Sequence, residues 1–143
     1  MALRRGEAYA KLGDAGSVRK EAAAIHGVSG ELSKDDGSLQ AQTMTYIARN
    51  VLVGRADMMD RRPREAAQAF AEAAEHEESD DFRSVSDPPA WHYPIRRDLA
   101  LALEEQGDLA GARREAAAAL EFRKNDPGTM ALIAKLDARS AAR

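Results

Sequence analysis

The chain has 143 residues, 44% hydrophobic, 31% charged and 5% aromatic, with a formal net charge of -3, a pI near 5.7 and no cysteine. That length suits one domain with a continuous core, and the shortage of aromatic residues means that Ala, Leu, Val, Ile and Met must fill it. The mild acidity offers no general attraction to a phosphate backbone or an anionic membrane, and the absence of cysteine excludes disulfides, thiolate nucleophiles and thiolate metal sites.

Residues 2 to 12 carry Leu3, Ala8, Tyr9 and Leu12 in a short helical pattern that Gly13 stops. Two arginines near Met1 are followed by no apolar stretch, so no signal sequence is read there and the cytoplasm is the expected location. This first pattern starts without a capping residue, as if cut from a longer chain. Asp14 is placed to cap a second helix from Ala15 to Val28 with Val18, Ala22 and Ile25 inward. The stretch from Gly27 to Gly37 reads as a frayed end and a loop.

A long helix is expected from Ser38 to Asp60, with Met44, Ile47, Val51, Leu52, Met58 and Met59 as its apolar stripe. Pro63 opens the next, which runs to Glu78 and carries Ala66, Ala67, Phe70, Ala73 and Ala74 on one side. Ser79 to Pro89 reads as a polar loop. Trp91, His92 and Tyr93 then lead through Pro94, which disfavours helix at Tyr93, into a kinked first turn and a helix from Ile95 to Gln106 with Leu99, Leu101 and Leu103. Leu109 to Lys124 forms a further helix. Asn125-Asp126-Pro127-Gly128 launches the last, to Ser140, with Met130, Ile133, Ala134 and Leu136 expected to face inward. Seven helices result, and no strand pattern competes with them.

Gly13-Asp14 and Gly107-Asp108 each join a helical run to an alanine-rich one, so a helix–turn–helix unit is written twice. Together with Gly6, Tyr9, Val18, Ala22 and Ile25 in the first unit, and Leu99, Ala100, Leu103, Ala112, Ala116, Ala119 and Leu120 in the third, these turns resemble the tetratricopeptide repeat. The middle unit fits through Gly54, Ala66, Phe70 and Ala73, with Arg61-Arg62-Pro63 at the turn. The turns at Gly13, Arg61 and Gly107 lie 48 and 46 residues apart, against a usual period of about 34. Longer helices and two loops absorb the difference. Residues 88 to 103, PPAWHYPIRRDLALAL, also resemble a segment near the end of long bacterial tetratricopeptide-repeat proteins.

The resemblance implies an all-α, TPR-like helix-hairpin solenoid of about seven antiparallel helices, a single domain over 1–143. Its units are approximately 1–36, 37–86 and 87–126, with a terminal capping helix over 127–141. It implies a non-catalytic scaffold module that takes a peptide or partner helix in a concave groove lined by the first helix of each pair. Carried onto this chain, the groove holds Val51, Arg55, Met58 and Met59, then Arg97, Leu101, Glu104 and Glu105, then Lys135 and Arg139. The cations would meet a partner's carboxylates, and the two methionines would offer an adaptable apolar patch. The asparagines that clamp a peptide carboxy-terminus in chaperone-binding members are not evident. The alternative for these charges is a solvated face.

Trp91 and His92, beside Arg96 and Arg97, are candidate partner anchors, set against a Trp that staples a loop onto the core. A small-ligand or metal-binding regulatory domain built on Trp91, His92 and Tyr93 is the alternative function. His26, His76 and His92 lack the tight spacing of a zinc site, and the carboxylates from Glu75 to Asp81 read as a solvated helix end, so no metal or cofactor is expected. No phosphate loop or nucleophile motif is written, so no catalytic residue is assigned. Expected partners are a protein or peptide, with no nucleic acid and no membrane; a second copy of the chain is a further candidate occupant of the groove.

Overall fold

In the computed structural model, the described residues are 1–31, 38–83, 91 and 93–142, with the side chains of 27–31, 38–40 and 81 outside the description. All of their regular structure is helical: α1 (Ala2–Lys11), α2 (Ala15–Glu31), α3 (Ser38–Met59), α4 (Pro63–Glu78), α5 (Asp80–Arg83), α6 (Arg96–Glu105), α7 (Leu109–Phe122) and α8 (Pro127–Ala141). Seven of these are at least ten residues long and α5 is a single turn. Among the described residues no strand occurs.

Two boundaries differ from the expectation. α2 does not end at Val28 but runs on to Glu31, because a glycine in a helix interior costs only about 1 kcal/mol and does not forbid the conformation. The segment after Glu78 is not irregular throughout. α5 forms as Phe82 and Arg83 N–H groups turn back to the Ser79 carbonyl, and the Phe82 ring is buried. The rest of that expected loop, residues 84–89, lies outside the described residues, as do Ala90 and His92.

Three connections share one backbone device. Gly13 (φ 75°), Arg61 (φ 56°) and Gly107 (φ 84°) each adopt the left-handed region. The residue that follows each donates its N–H five residues back: Asp14 to Tyr9, Arg62 to Asp57 and Asp108 to Leu103, at 3.0, 2.8 and 3.0 Å. This closure satisfies helix carbonyls that would otherwise lack donors and reverses the chain in a few residues, making hairpins of α1/α2, α3/α4 and α6/α7. Asp14 and Asp108 then accept from Ser17 and Gly111 N–H, capping the second helix. The middle turn has Arg62 at the corresponding position and makes no side-chain cap; Pro63 starts α4 instead. Asn125, also left-handed (φ 67°), precedes Asp126, which caps α8 through Thr129 N–H at 2.8 Å.

Each long helix packs on its neighbours in chain order, α4 meets α6, and α1 also touches α3. Small residues make this close packing possible. A Cβ at Gly6 of α1 would lie 2.6 Å from Leu52 of α3, and one at Gly54 of α3 would lie 2.6 Å from the Phe70 ring of α4. Ala66, Ala73, Ala102, Ala112, Ala116 and Ala119 are wholly buried, so helix backbones approach one another there without a void.

One apolar cluster runs from α1 to the start of α6 around Val18, Ile47, Leu52, Trp91 and Ile95, and a second joins α6, α7 and α8 around Leu109, Leu132 and Leu136. Leu103 packs against both. α8 buries Thr129, Leu132 and Leu136, while Met130 and Ala134, expected inward, are exposed. Its strong packing is with α7, so a narrower stripe is covered. Leu12, at the end of α1, is likewise exposed.

Candidate interaction face

The first helices of the three hairpins, with α8, are tied together by charged side chains. Arg55 of α3 lies at the centre. Its Nη2 donates to the Tyr93 hydroxyl at 2.6 Å and lies 3.7 Å from Asp98 of α6, and its Nη1 reaches Glu7 of α1 at 3.3 Å. The Tyr93 hydroxyl donates in turn to Asp98 Oδ2 at 2.9 Å. The Arg97 guanidinium covers the Tyr93 ring at 4.7 Å from its centroid and pairs with Asp126, the α8 cap, at 3.2 Å. Such stacking and pairing fix the planar guanidinium in one orientation.

Burial sets the protonation of this cluster. Burial first, and the neighbouring Asp98 second, push the Tyr93 phenol well above its ordinary value, so it stays a neutral donor. Burial also raises Asp98, opposed by Arg55 and Tyr93. Glu104 of α6 behaves differently. It is buried, which would raise it, yet Lys135 and Arg139 of α8 both bond to it and hold it below the usual carboxylate range.

A second buried cluster fixes the entry to α6. Glu77 of α4 is 3% exposed, and its Oε2 accepts the Ile95 N–H at 2.9 Å. Its Oε1 has no hydrogen-bond donor among the described residues and lies 3.6 Å from Arg123 Nη2. Arg123 also donates to the Trp91 carbonyl. Burial pushes the Glu77 carboxyl up to about 7, with the Ile95 amide and Arg123 pulling the other way. Arg96 bridges Glu78, through two bonds of 2.5 and 2.7 Å, and Glu115 of α7 at 2.6 Å.

The residues assigned to the groove therefore divide. Arg55, Arg97, Lys135 and Arg139 do lie on the first helices and α8, but each is engaged by a carboxylate of this chain, so none stands ready for a partner's. Val51 is wholly buried and belongs to the core, because its face of α3 turns toward the neighbouring helices. Trp91 is 2% exposed and meets Tyr93 edge-on at 6.1 Å, so it staples its turn inward and is not a surface anchor. Met58, Met59 and Leu101 are half-buried, and Glu105 is exposed. Met58, Met59 and Glu105 line one open groove of about 470 Å³ with Arg61 and Pro63.

The sequence pattern does not single out Glu7 or Asp98, and it reads Asp126 only as part of the turn that launches α8. The acidic helix end read as solvated contains a buried member, Glu77, and its position gives the clue: it continues the stripe of Ala66, Phe70, Ala73 and Ala74 at helical spacing.

Comparison of the chain with protein-family models, with curated proteins and with solved structures finds no match. Among the described residues, no three His, Asp or Glu side chains gather as a metal-binding group, and no helix is long and apolar enough to cross a membrane.

Proposed function

We propose that this chain is a non-catalytic protein-interaction scaffold, a tetratricopeptide-like stack of helix hairpins that presents the face of α1, α3, α6 and α8 to a peptide or partner helix. The observation that carries the reading is the line of ion pairs from Glu7 to Arg55 to Asp98, and from Glu104 to Lys135 and Arg139, which links α1, α3, α6 and α8 through their side chains. The recurring left-handed turns and the packing of helices in chain order support the stack. Charges spent on internal pairing make a rigid, preformed surface, and rigidity lowers the entropy lost on binding.

Hydrogen exchange on the chain bound to a captured partner tests this reading. Protection should fall on the exposed sides of α3 and α6. Protection confined to α2, α4 and α7 would reject it.

A small-ligand function has one observation in its favour. A cavity of about 480 Å³ lies beside Trp91, lined by Leu3, Ile25, Met44, Ala48 and Thr45 among others, and most of its wall is apolar. Thermal-shift screening with metals and metabolites separates the two: a stoichiometric ligand that raises the melting temperature would favour the second.

A further inference from the structure

We infer that the groove at the α3–α4 turn seats a segment of a partner protein that carries an apolar anchor for Met58 and Met59, an acidic residue for Arg61 and a basic residue for Glu105. This rests on the interaction reading above and names the place and chemistry of the contact.

Three observations converge on the groove. Two half-buried methionines and Pro63 give it adaptable apolar surface, set in a wall that is otherwise mostly polar. Its two lining charges are exposed and unused: among the described residues, neither Arg61 nor Glu105 makes a side-chain hydrogen bond or ion pair. The contrast with Arg55, Arg97, Glu104, Lys135 and Arg139 is direct, since all five are neutralised within the chain. Opposite charges in a groove that also offers apolar surface favour a ligand with the reciprocal charges, and they oppose one carrying a single sign of charge.

The backbone adds the third. At the other two hairpin turns glycine occupies the left-handed position, whereas here an arginine does. An L side chain is disfavoured in that conformation, so the position holds a guanidinium at a cost to the fold, with no side-chain hydrogen bond or ion pair to offset it among the described residues. Replacing it should thus separate stability from binding, which is the signature of a residue held for an external contact.

The test selects random peptides displayed on phage against the full chain. Arg61→Ala and Glu105→Ala variants, both at exposed positions, serve as counter-targets after thermal unfolding has shown them folded. Recovered peptides should carry an apolar residue flanked by one acidic and one basic residue, and should bind each variant at least tenfold more weakly. Arg61→Gly should lose binding while gaining thermal stability. Peptides that bind wild type and both variants within twofold would overturn this site and leave the scaffold reading standing; recovery of no peptide would count against both. Sedimentation should find a monomer, and self-association abolished by Arg61→Ala would overturn the proposal by giving the groove to a second copy of the chain.

Discussion

The Tyr93 hydroxyl accepts from Arg55 at 2.6 Å and donates to Asp98 at 2.9 Å, so one buried oxygen joins α3 to α6 across the break between the second and third hairpins. Tyr93→Phe removes that oxygen and leaves Asp98 with one donor fewer. The expected loss is about 1–3 kcal/mol in urea unfolding, the range for a buried polar group deprived of a partner. A change below about 0.5 kcal/mol, within the usual range for surface substitutions, would mean the hydroxyl does not link the helices.

Glu77 makes stability depend on pH. Its carboxyl titrates near 4.5 when the chain is unfolded and is raised to about 7 by burial in the fold. The native state therefore holds more protons between those values, and stability falls as pH rises through the window. The full effect is on the order of 3 kcal/mol above pH 7. Asp98, also raised by burial, acts with the same sign. Glu77→Gln keeps an oxygen for the Ile95 amide and removes the charge, so its stability should fall less between pH 5 and pH 8. An unchanged slope in denaturation series would assign the pH dependence elsewhere.

The three turns differ in strain. Arg61→Gly should raise stability by up to about 1 kcal/mol, the scale on which a left-handed non-glycine residue is penalised. Gly107→Ala should lower it by a similar amount, since no neighbouring atom lies near its Cβ and only backbone conformation is at stake. Melting temperatures moving in the same direction for both would contradict a shared turn geometry.

At Gly54 the constraint is space. Its Cβ would fall 2.6 Å from the Phe70 ring, so Gly54→Ala should cost about 1–3 kcal/mol through overpacking of α3 on α4. Adding Phe70→Leu should recover part of that loss, which a double-mutant cycle measures. Purely additive losses would place the two residues out of contact.

Much of the fold was legible because its signals are local. The glycine at a left-handed turn, the Asp cap after it and the buried alanines at helical spacing all act within a few residues, and Gly13, Asp14, Ala112 and Ala116 stand where the pattern put them. α2 runs past its expected end at Val28 because helix continuity is decided by neighbours as well as propensity. The site was harder to read. Arg55 and Arg97 were on the expected helices, but whether a cation is free depends on residues 29 to 48 positions away, such as Asp126 and Glu7. No spacing rule covers those distances. Arg61 shows the converse: the sequence marks it only as a turn residue of the middle unit, and the lack of a hydrogen-bond or ion-pair partner for its guanidinium among the described residues emerges from the packing around it.

The hairpin stack itself is tested most directly by a distance between its ends. The chain has no cysteine, so Ala8→Cys and Ala134→Cys, at exposed positions on α1 and α8, accept spin labels without competing sites. With α1, α3, α6 and α8 following one another along a stack, at no less than roughly 10 Å per step, pulsed dipolar spectroscopy should give a distribution centred at about 30 Å or more. A distribution centred below about 15 Å, which brings α1 against α8 in a closed bundle, would contradict the stack.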